Sequence, residues 1–99
     1  MRIAHIDGTS GLAGDMLLGA IVDAGLGAER LERLVAPLGL GSRFRLTVER
    51  VRRAGLAATR VRVHTAPDAP QPRSLAAMRA LVAGTPLPPA VAERAVRVF

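Results

Sequence analysis

Two aspartates near the start of the chain, Asp7 and Asp15, flank a glycine-rich loop and are the residues best placed to do chemistry. The apolar run over residues 2–7 predicts a short strand, and the apolar run after Asp15 predicts a helix. A loop between a strand and a helix N-terminus presents backbone N–H groups that bind anions. Because the two carboxylates repel a bare anion, we expect a cation here, or an anion that brings its own metal.

The side chains of this loop can be interpreted in two ways. In the first, their oxygen atoms converge on a divalent cation; the residues concerned are Asp7, Thr9, Ser10 and Asp15. In the second, the glycines serve the turn, Ser10 caps the helix, and Asp15 is favoured there by the helix dipole. The residues alone leave both interpretations open.

The spacing of the glycines excludes the common nucleotide-binding signatures. Gly8, Gly11 and Gly14 form G-x-x-G-x-x-G and not the dinucleotide-binding G-x-G-x-x-G, and the chain has no lysine for a P-loop. Ser10 does not lie in G-x-S-x-G, so a hydrolase nucleophile is also unsupported.

The composition describes a small, strongly basic domain. All fourteen basic residues are arginine, against eight acidic ones, which gives a formal charge of +6 over 99 residues. Such a charge attracts nucleic acid, anionic membranes or phosphorylated small molecules. The absence of cysteine excludes disulfides and thiolate metal sites within these residues. We expect a single domain over residues 1–99, located in the cytoplasm and not in a membrane, because no apolar stretch is long enough to span one.

Two helices are predicted after the loop. The first runs to about Ala24 and ends at Gly25, a residue that readily adopts the left-handed conformation of a helix C-cap. It is apolar nearly all round, so we expect it to be buried on more than one side. The second begins near Ala28, and Pro37 ends or kinks it.

A β-hairpin is predicted on either side of Arg53-Ala54-Gly55, because polar and apolar residues alternate before and after this turn. A slip in the alternation between Val48 and Val51 indicates a bulge. The alternation also places a row of arginines on one face: Arg43, Arg45, Arg60 and Arg62. These guanidinium groups can bind a phosphate, or they can form a solvated face or a docking surface for another part of the protein.

The remaining residues predict a linker and two more helices. Residues 65–73 contain three prolines and are expected to form an internal linker. Ser74 caps a third helix that Gly84 closes, and Pro88 and Pro89 begin a fourth that still runs at Phe99. We therefore expect the N-terminal fragment of a longer protein. The predicted order is β-α-α-β-β-α-α, an α/β or α+β fold with a small three-stranded sheet and helices.

The two histidines are weak candidates for metal ligands. His5 lies inside the predicted first strand, where a buried and hydrogen-bonded imidazole is expected, and His64 is expected to be exposed. Neither can hold a transition metal alone, since such sites need several convergent ligands.

The opening stretch IDGTSGLAGDMLLGAIVDAGL resembles the start of the LarC family of nickel insertion proteins, in which a strand and an aspartate precede S-G-x-x-G-D-M and an apolar L-G-A helix. The matching residues are Asp7, Ser10, Gly11, Gly14, Asp15, Met16, Leu18, Gly19, Ala20 and the Asp23-x-Gly25 end. The resemblance continues more weakly through the second helix, the hairpin VRRAGLAATRVRV and the closing pair of helices. It therefore covers nearly the whole chain.

The resemblance implies a nickel chelatase of the lyase class. LarC-type proteins insert nickel into pyridinium-3,5-bisthiocarboxylic acid mononucleotide in a CTP-dependent step, which makes the nickel-pincer cofactor of lactate racemase and related enzymes. Nickel is then the substrate metal, and the pyridinium mononucleotide is the second substrate. CTP with a divalent cation is expected in the C-terminal remainder of the same protein, and a homo-oligomer is compatible with the resemblance.

The loop and the resemblance together define the candidate site. Asp7, Ser10 and Asp15 are the candidate catalytic residues, and Asp7 and Asp15 are the candidate metal ligands. The candidate residues for binding the cofactor precursor are Gly11, Gly14, Arg60 and Arg62.

Two departures from the family pattern concern this site. Gly8 and Thr9 replace larger residues before S-G, and APDAPQPRS stands where members commonly carry a histidine-rich stretch. A nickel-storing role of such histidines is not carried over. Two other functions remain open from the sequence: a basic nucleotide- or RNA-binding module, and a non-catalytic structural domain. RNA binding is the less favoured of these, because the chain lacks the aromatic residues that stack on bases.

Overall fold

The computed structural model describes residues 1–68 and 73–99. Within them the chain forms four α-helices and two strands. In chain order the elements are α1 (Gly14–Ile21), a π-helical turn (Val22–Leu26), α2 (Ala28–Val35), two 3₁₀ turns (Ala36–Leu38 and Gly41–Arg43), β1 (Phe44–Arg53), β2 (Leu56–Thr65), α3 (Leu75–Gly84) and α4 (Pro89–Val98). The predicted linker over 65–73 lies partly outside the described residues.

The hairpin of β1 and β2 is the central element of the fold. Its two-residue turn places Ala54 and Gly55 at φ values of 49° and 80°, and positive φ at both central residues is what a type I′ hairpin turn requires. The strands pair without interruption from Phe44 opposite Thr65 to Arg53 opposite Leu56. The predicted bulge is therefore wrong: the apolar pattern slips because Val51 lies on the arginine face, opposite Ala58.

The predicted three-stranded sheet is wrong, because residues 1–8 form no strand and the described sheet contains only β1 and β2. A strand is stable only where a neighbour satisfies its backbone groups, and no ladder joins this segment to the hairpin. Its apolar side chains also remain outside the core, with Ile3 81% and Ile6 59% exposed. His5 is exposed and not the buried imidazole expected from the sequence. The class is α+β, with helices around a two-stranded antiparallel sheet.

Helix α1 packs against β2 through Gly19, its one buried residue. A Cβ added at Gly19 would lie 2.5 Å from the carbonyl oxygen of Thr59, so only glycine allows this approach of helix and strand. The end of the first helix is confirmed, since Gly25 has a φ of 109° and breaks the helical conformation. The expectation that this helix is buried on more than one side is wrong, because Met16 and Ile21 are 58% and 47% exposed.

The sequence signals for the other helices are confirmed. Pro37 lies in the 3₁₀ turn that follows α2. The Ser74 hydroxyl accepts a hydrogen bond from the Ala77 N–H at 3.2 Å and so caps α3. Pro89 is the first residue of α4. In the part of the chain that the structure describes, no helix has both the length and the apolarity needed to cross a membrane.

Candidate functional site

The loop before α1 is organised by Asp7. Its Oδ1 accepts hydrogen bonds from the Thr9 backbone N–H at 3.1 Å and from the Thr9 hydroxyl at 2.8 Å. These bonds, the backbone one first, lower the pKa of Asp7 because they stabilise the ionised carboxylate. Gly11 closes the turn by donating its N–H to the Gly8 carbonyl at 3.0 Å, with a φ of 97° that favours glycine.

The helix that follows does not use Ser10 as its cap. Its N-cap is Ala13, which offers no side-chain acceptor. Asp15 lies in the first turn, where Oδ1 accepts the Met16 N–H at 3.0 Å. The capping interpretation of Ser10 is therefore wrong, whereas a carboxylate in the first turn has the position that the helix dipole favours. The space beside Gly14 is open, since a Cβ added there would have no neighbour within 4 Å.

The close packing of α1 on β2 brings Asp15 to the arginines of the hairpin. A shallow depression of about 400 Å³ is lined by Asp15, Arg60, Arg62, Val63 and His64. The structure thus joins one candidate catalytic residue to both candidate arginines. Asp7 and Ser10 are not among the lining residues.

The register of the hairpin determines which groups share the arginine face. Arg60 stands opposite Glu49, Arg62 opposite Thr47, and Arg45 opposite His64. Directly opposed residues of an antiparallel pair point to the same side of the sheet, so Arg45, Arg60 and Arg62 share one face as predicted. Arg43 does not belong to it: Arg43 ends a 3₁₀ turn before β1 and lines a different, apolar groove.

The face carries two internal polar contacts. Arg62 Nε lies 3.4 Å from Oε2 of Glu49, with both side chains about half exposed. The Nε2 atom of His64 lies 2.8 Å from the Thr47 hydroxyl in a partly buried hydrogen bond. The expectation of an exposed His64 is wrong, since this imidazole is held in place across the strands. Sequence reasoning missed this contact, although the hairpin turn alone sets the register that produces it.

A complete metal centre is not formed by the described residues, since they contain no group of three or more histidine, cysteine, aspartate or glutamate side chains able to hold an ion. Asp15 and His64 line the same depression and offer one oxygen and one nitrogen ligand. A transition metal held there needs further ligands from elsewhere.

A second polar cluster fastens the end of the first helix to the sheet. Asp23 Oδ1 accepts from the Thr59 hydroxyl at 2.5 Å and from Arg50 at 2.7 Å, and Arg50 also donates to the Thr59 hydroxyl at 2.9 Å. The bond from Thr59 is the main cause of the lowered pKa of Asp23, with the charge and hydrogen bond of Arg50 adding to it. The cluster thus joins the π-helical turn after α1 to β2, the strand that carries Arg60 and Arg62.

Arg60 and Arg62 of β2 and Asp15 in the first turn of α1 thus line one depression of a small α+β domain, in which the first helix packs on the hairpin at Gly19. The profile of the family described as "Nickel insertion protein" matches residues 4–99. The chain belongs to the nickel insertion protein family.

Several relatives extend this assignment. The chain is 52% identical over its whole length to a protein of Thermomicrobium roseum named "Putative nickel insertion protein", and 44% identical to one of Gloeobacter violaceus with the same name. It is 38% identical to the "Pyridinium-3,5-bisthiocarboxylic acid mononucleotide nickel insertion protein" of Desulfitobacterium hafniense. In each case it covers 24% of the relative, so the chain spans about a quarter of these proteins. No solved structure matches it.

Proposed function

We propose that this chain is the N-terminal part of a nickel chelatase of the lyase class that inserts nickel into pyridinium-3,5-bisthiocarboxylic acid mononucleotide. The observation that carries the proposal is the depression in which Asp15 meets Arg60, Arg62 and His64. Family membership and the name of the Desulfitobacterium hafniense relative support the metal and the substrate.

The arginines of the depression are assigned to the phosphate of the mononucleotide. A guanidinium group matches phosphate oxygens with two parallel hydrogen bonds. Arg60 and Arg62 are separated by one residue in β2, so both lie on the same face of the strand. Both also line the depression. Arg62 Nε lies within ion-pair distance of Glu49, a contact that orients its guanidinium group before the phosphate arrives.

Asp15 and His64 are assigned to the incoming nickel ion. The Nε2 atom of His64 contacts Thr47, which leaves Nδ1 as its second ring nitrogen. Two protein ligands form an incomplete site, and the two thiocarboxylate groups of the substrate supply soft sulfur ligands that complete it. A weak first site of this kind releases the metal to the stronger ligands of the substrate.

The other candidate residues keep their roles within this proposal. Asp7 is ionised well below neutral pH, since its pKa is lowered by Thr9, and it is a second carboxylate for the approaching cation. Ser10 remains a candidate catalytic residue in the same loop, and Gly11 and Gly14 remain candidates for binding the cofactor precursor, since the space beside each of them is open. The CTP-dependent step and its divalent cation are assigned to the remainder of the protein, because the glycine spacing here fits no nucleotide signature. The product is proposed to serve lactate racemase-type enzymes.

The test uses a full-length chimera, in which this chain replaces the matching quarter of the Thermomicrobium roseum relative. We expect Asp15→Asn and His64→Ala to lower nickel incorporation into the mononucleotide, measured by mass spectrometry of the product. Glu29→Gln, which removes an exposed carboxylate on α2 outside the depression, serves as the control. If both site variants incorporated as much nickel as the original chimera, neither Asp15 nor His64 would be needed to bind the metal, and the assignment would be overturned.

A further inference from the structure

An apolar groove runs between α1, the end of α2, the hairpin and α3, on the side of the sheet away from the arginine face. It has a volume of about 390 Å³. Aliphatic and aromatic side chains form most of its lining: Leu18, Val35, Leu38, Leu40, Phe44, Leu46, Val63, Met78 and Leu81. Leaving so many apolar side chains along an open groove is costly, because their surface stays in contact with water.

The groove is a gap in an incomplete core. Among the described residues, the buried large apolar side chains are those of Leu31, Val61 and Val82, and Val61 is the one that is fully buried. The radius of gyration is 15.0 Å, whereas a compact chain of this length has about 13 Å. The fold is therefore less compact than a finished domain of this length, and the apolar groove offers space that chain from outside these residues can fill.

Two arginines determine the chemistry of the occupant. Arg43 and Arg73 line the groove beside its apolar residues, and none of the ion pairs of the described residues involves either of them. An apolar segment with a carboxylate at its edge satisfies both features. A second copy of this chain fits poorly, because each copy carries a charge of +6.

We propose that this groove binds an amphipathic segment, with aliphatic side chains and a neighbouring acidic residue, from the polypeptide that accounts for the other three quarters of the relatives. The relatives of the family are about four times as long as this chain, which supplies such a segment in the same molecule. The segment completes the core on one side of the hairpin while the arginine face on the other side stays open. Such docking rests on the proposal that this chain is the N-terminal part of a longer protein, and it is independent of the nickel chemistry.

The absence of cysteine makes the groove directly testable. Leu46→Cys and Met78→Cys each place one thiol in the groove, and Ala76→Cys places a matched thiol on the exposed part of α3. Modification by a maleimide is followed at each position by peptide mass spectrometry, in this chain alone and in the full-length chimera. Thiol modification reports access to reagent.

We expect the two groove thiols to be modified at least roughly tenfold more slowly in the chimera than in the chain alone. The Ala76→Cys thiol should be modified at the same rate in both proteins. Equal rates at the groove positions in both proteins would overturn the proposal. Protection that appears in the chain alone and grows with its concentration would also overturn it, by identifying a second copy as the occupant. Circular dichroism checks that each cysteine variant keeps its helices.

The acidic part of the occupant has its own test. Arg43→Gln with Arg73→Gln, in the Met78→Cys chimera, is expected to return the modification rate towards that of the chain alone. Unchanged protection would show that the occupant binds through its apolar side chains and would overturn the assignment of a carboxylate. Nickel incorporation measured on the same chimera separates a failure of docking from a failure of the proposed activity.

Discussion

The Thr59 hydroxyl donates a hydrogen bond of 2.5 Å to Asp23, a residue 36 positions earlier in the chain. This contact joins the end of the first helix to the middle of β2. Gly19, one helical turn before Asp23, lies against the carbonyl of the same threonine. Because Arg60 follows Thr59 directly, the contact that fixes the helix also fixes the distance between Asp15 and the arginines.

Gly19→Ala is expected to destabilise the protein. The added methyl group would lie 2.5 Å from the Thr59 carbonyl oxygen, and overpacking of this kind costs roughly 1–3 kcal/mol. Thermal unfolding followed by circular dichroism measures the loss. Gly14→Ala is the matched control on the same helix, since a Cβ there meets nothing within 4 Å. A melting temperature equally unaffected by both changes would contradict the tight contact between α1 and β2.

Acid is expected to weaken the attachment of the first helix through Asp23. The pKa of Asp23 is lower in the folded protein than its ordinary value of 3.8. A carboxyl group with a depressed pKa stabilises the fold above its unfolded pKa, and this contribution is lost as the pH falls through the folded pKa. The melting temperature of Asp23→Asn should therefore depend less on pH below about 4 than that of the original chain. Glu29→Gln, outside the cluster, should retain the original dependence.

Thr9→Ala is expected to raise the pKa of Asp7 part of the way to its ordinary value. The substitution removes the hydroxyl donor but keeps the backbone N–H, which is the larger cause of the lowered pKa. Thr9→Ser keeps both donors and serves as the control. Carboxyl chemical shifts in an NMR titration report the pKa directly. An Asp7 pKa that is the same in all three proteins would mean that the Thr9 hydroxyl does not stabilise this carboxylate.

Local sequence signals predicted much of the fold. Gly25 ends the first helix, Ala54-Gly55 forms the hairpin turn and Ser74 caps α3, because each depends on residues within a few positions. The first strand was wrong because strand formation requires a partner ladder, which no local pattern reveals. The alternation slips because the apolar residue Val51 lies on the arginine face. The strands pair continuously through this position, so no bulge forms.

The sequence predicted most residues of the site but not their arrangement in space. Alternation placed Arg60 and Arg62 on one face, and the loop pattern pointed to Asp15, but their common depression depends on how α1 crosses β2. That crossing rests on Gly19, Asp23 and Thr59, whose contacts join residues 36 or more positions apart. Contacts at such separations follow from the packed structure and not from periodicity. The sequence therefore identified most of these residues but could not show that they lie close to one another.

The kinetics of nickel incorporation by two variants of the chimera, Arg60→Gln and Arg62→Gln, show whether the arginine face binds the substrate. If these arginines hold the phosphate, KM for the mononucleotide rises roughly tenfold for each substitution at this half-exposed site. Arg52→Gln, which removes an arginine from the opposite face of β1, should leave KM unchanged. The same KM for all three variants and the original chimera would contradict the assignment of the arginine face to the substrate.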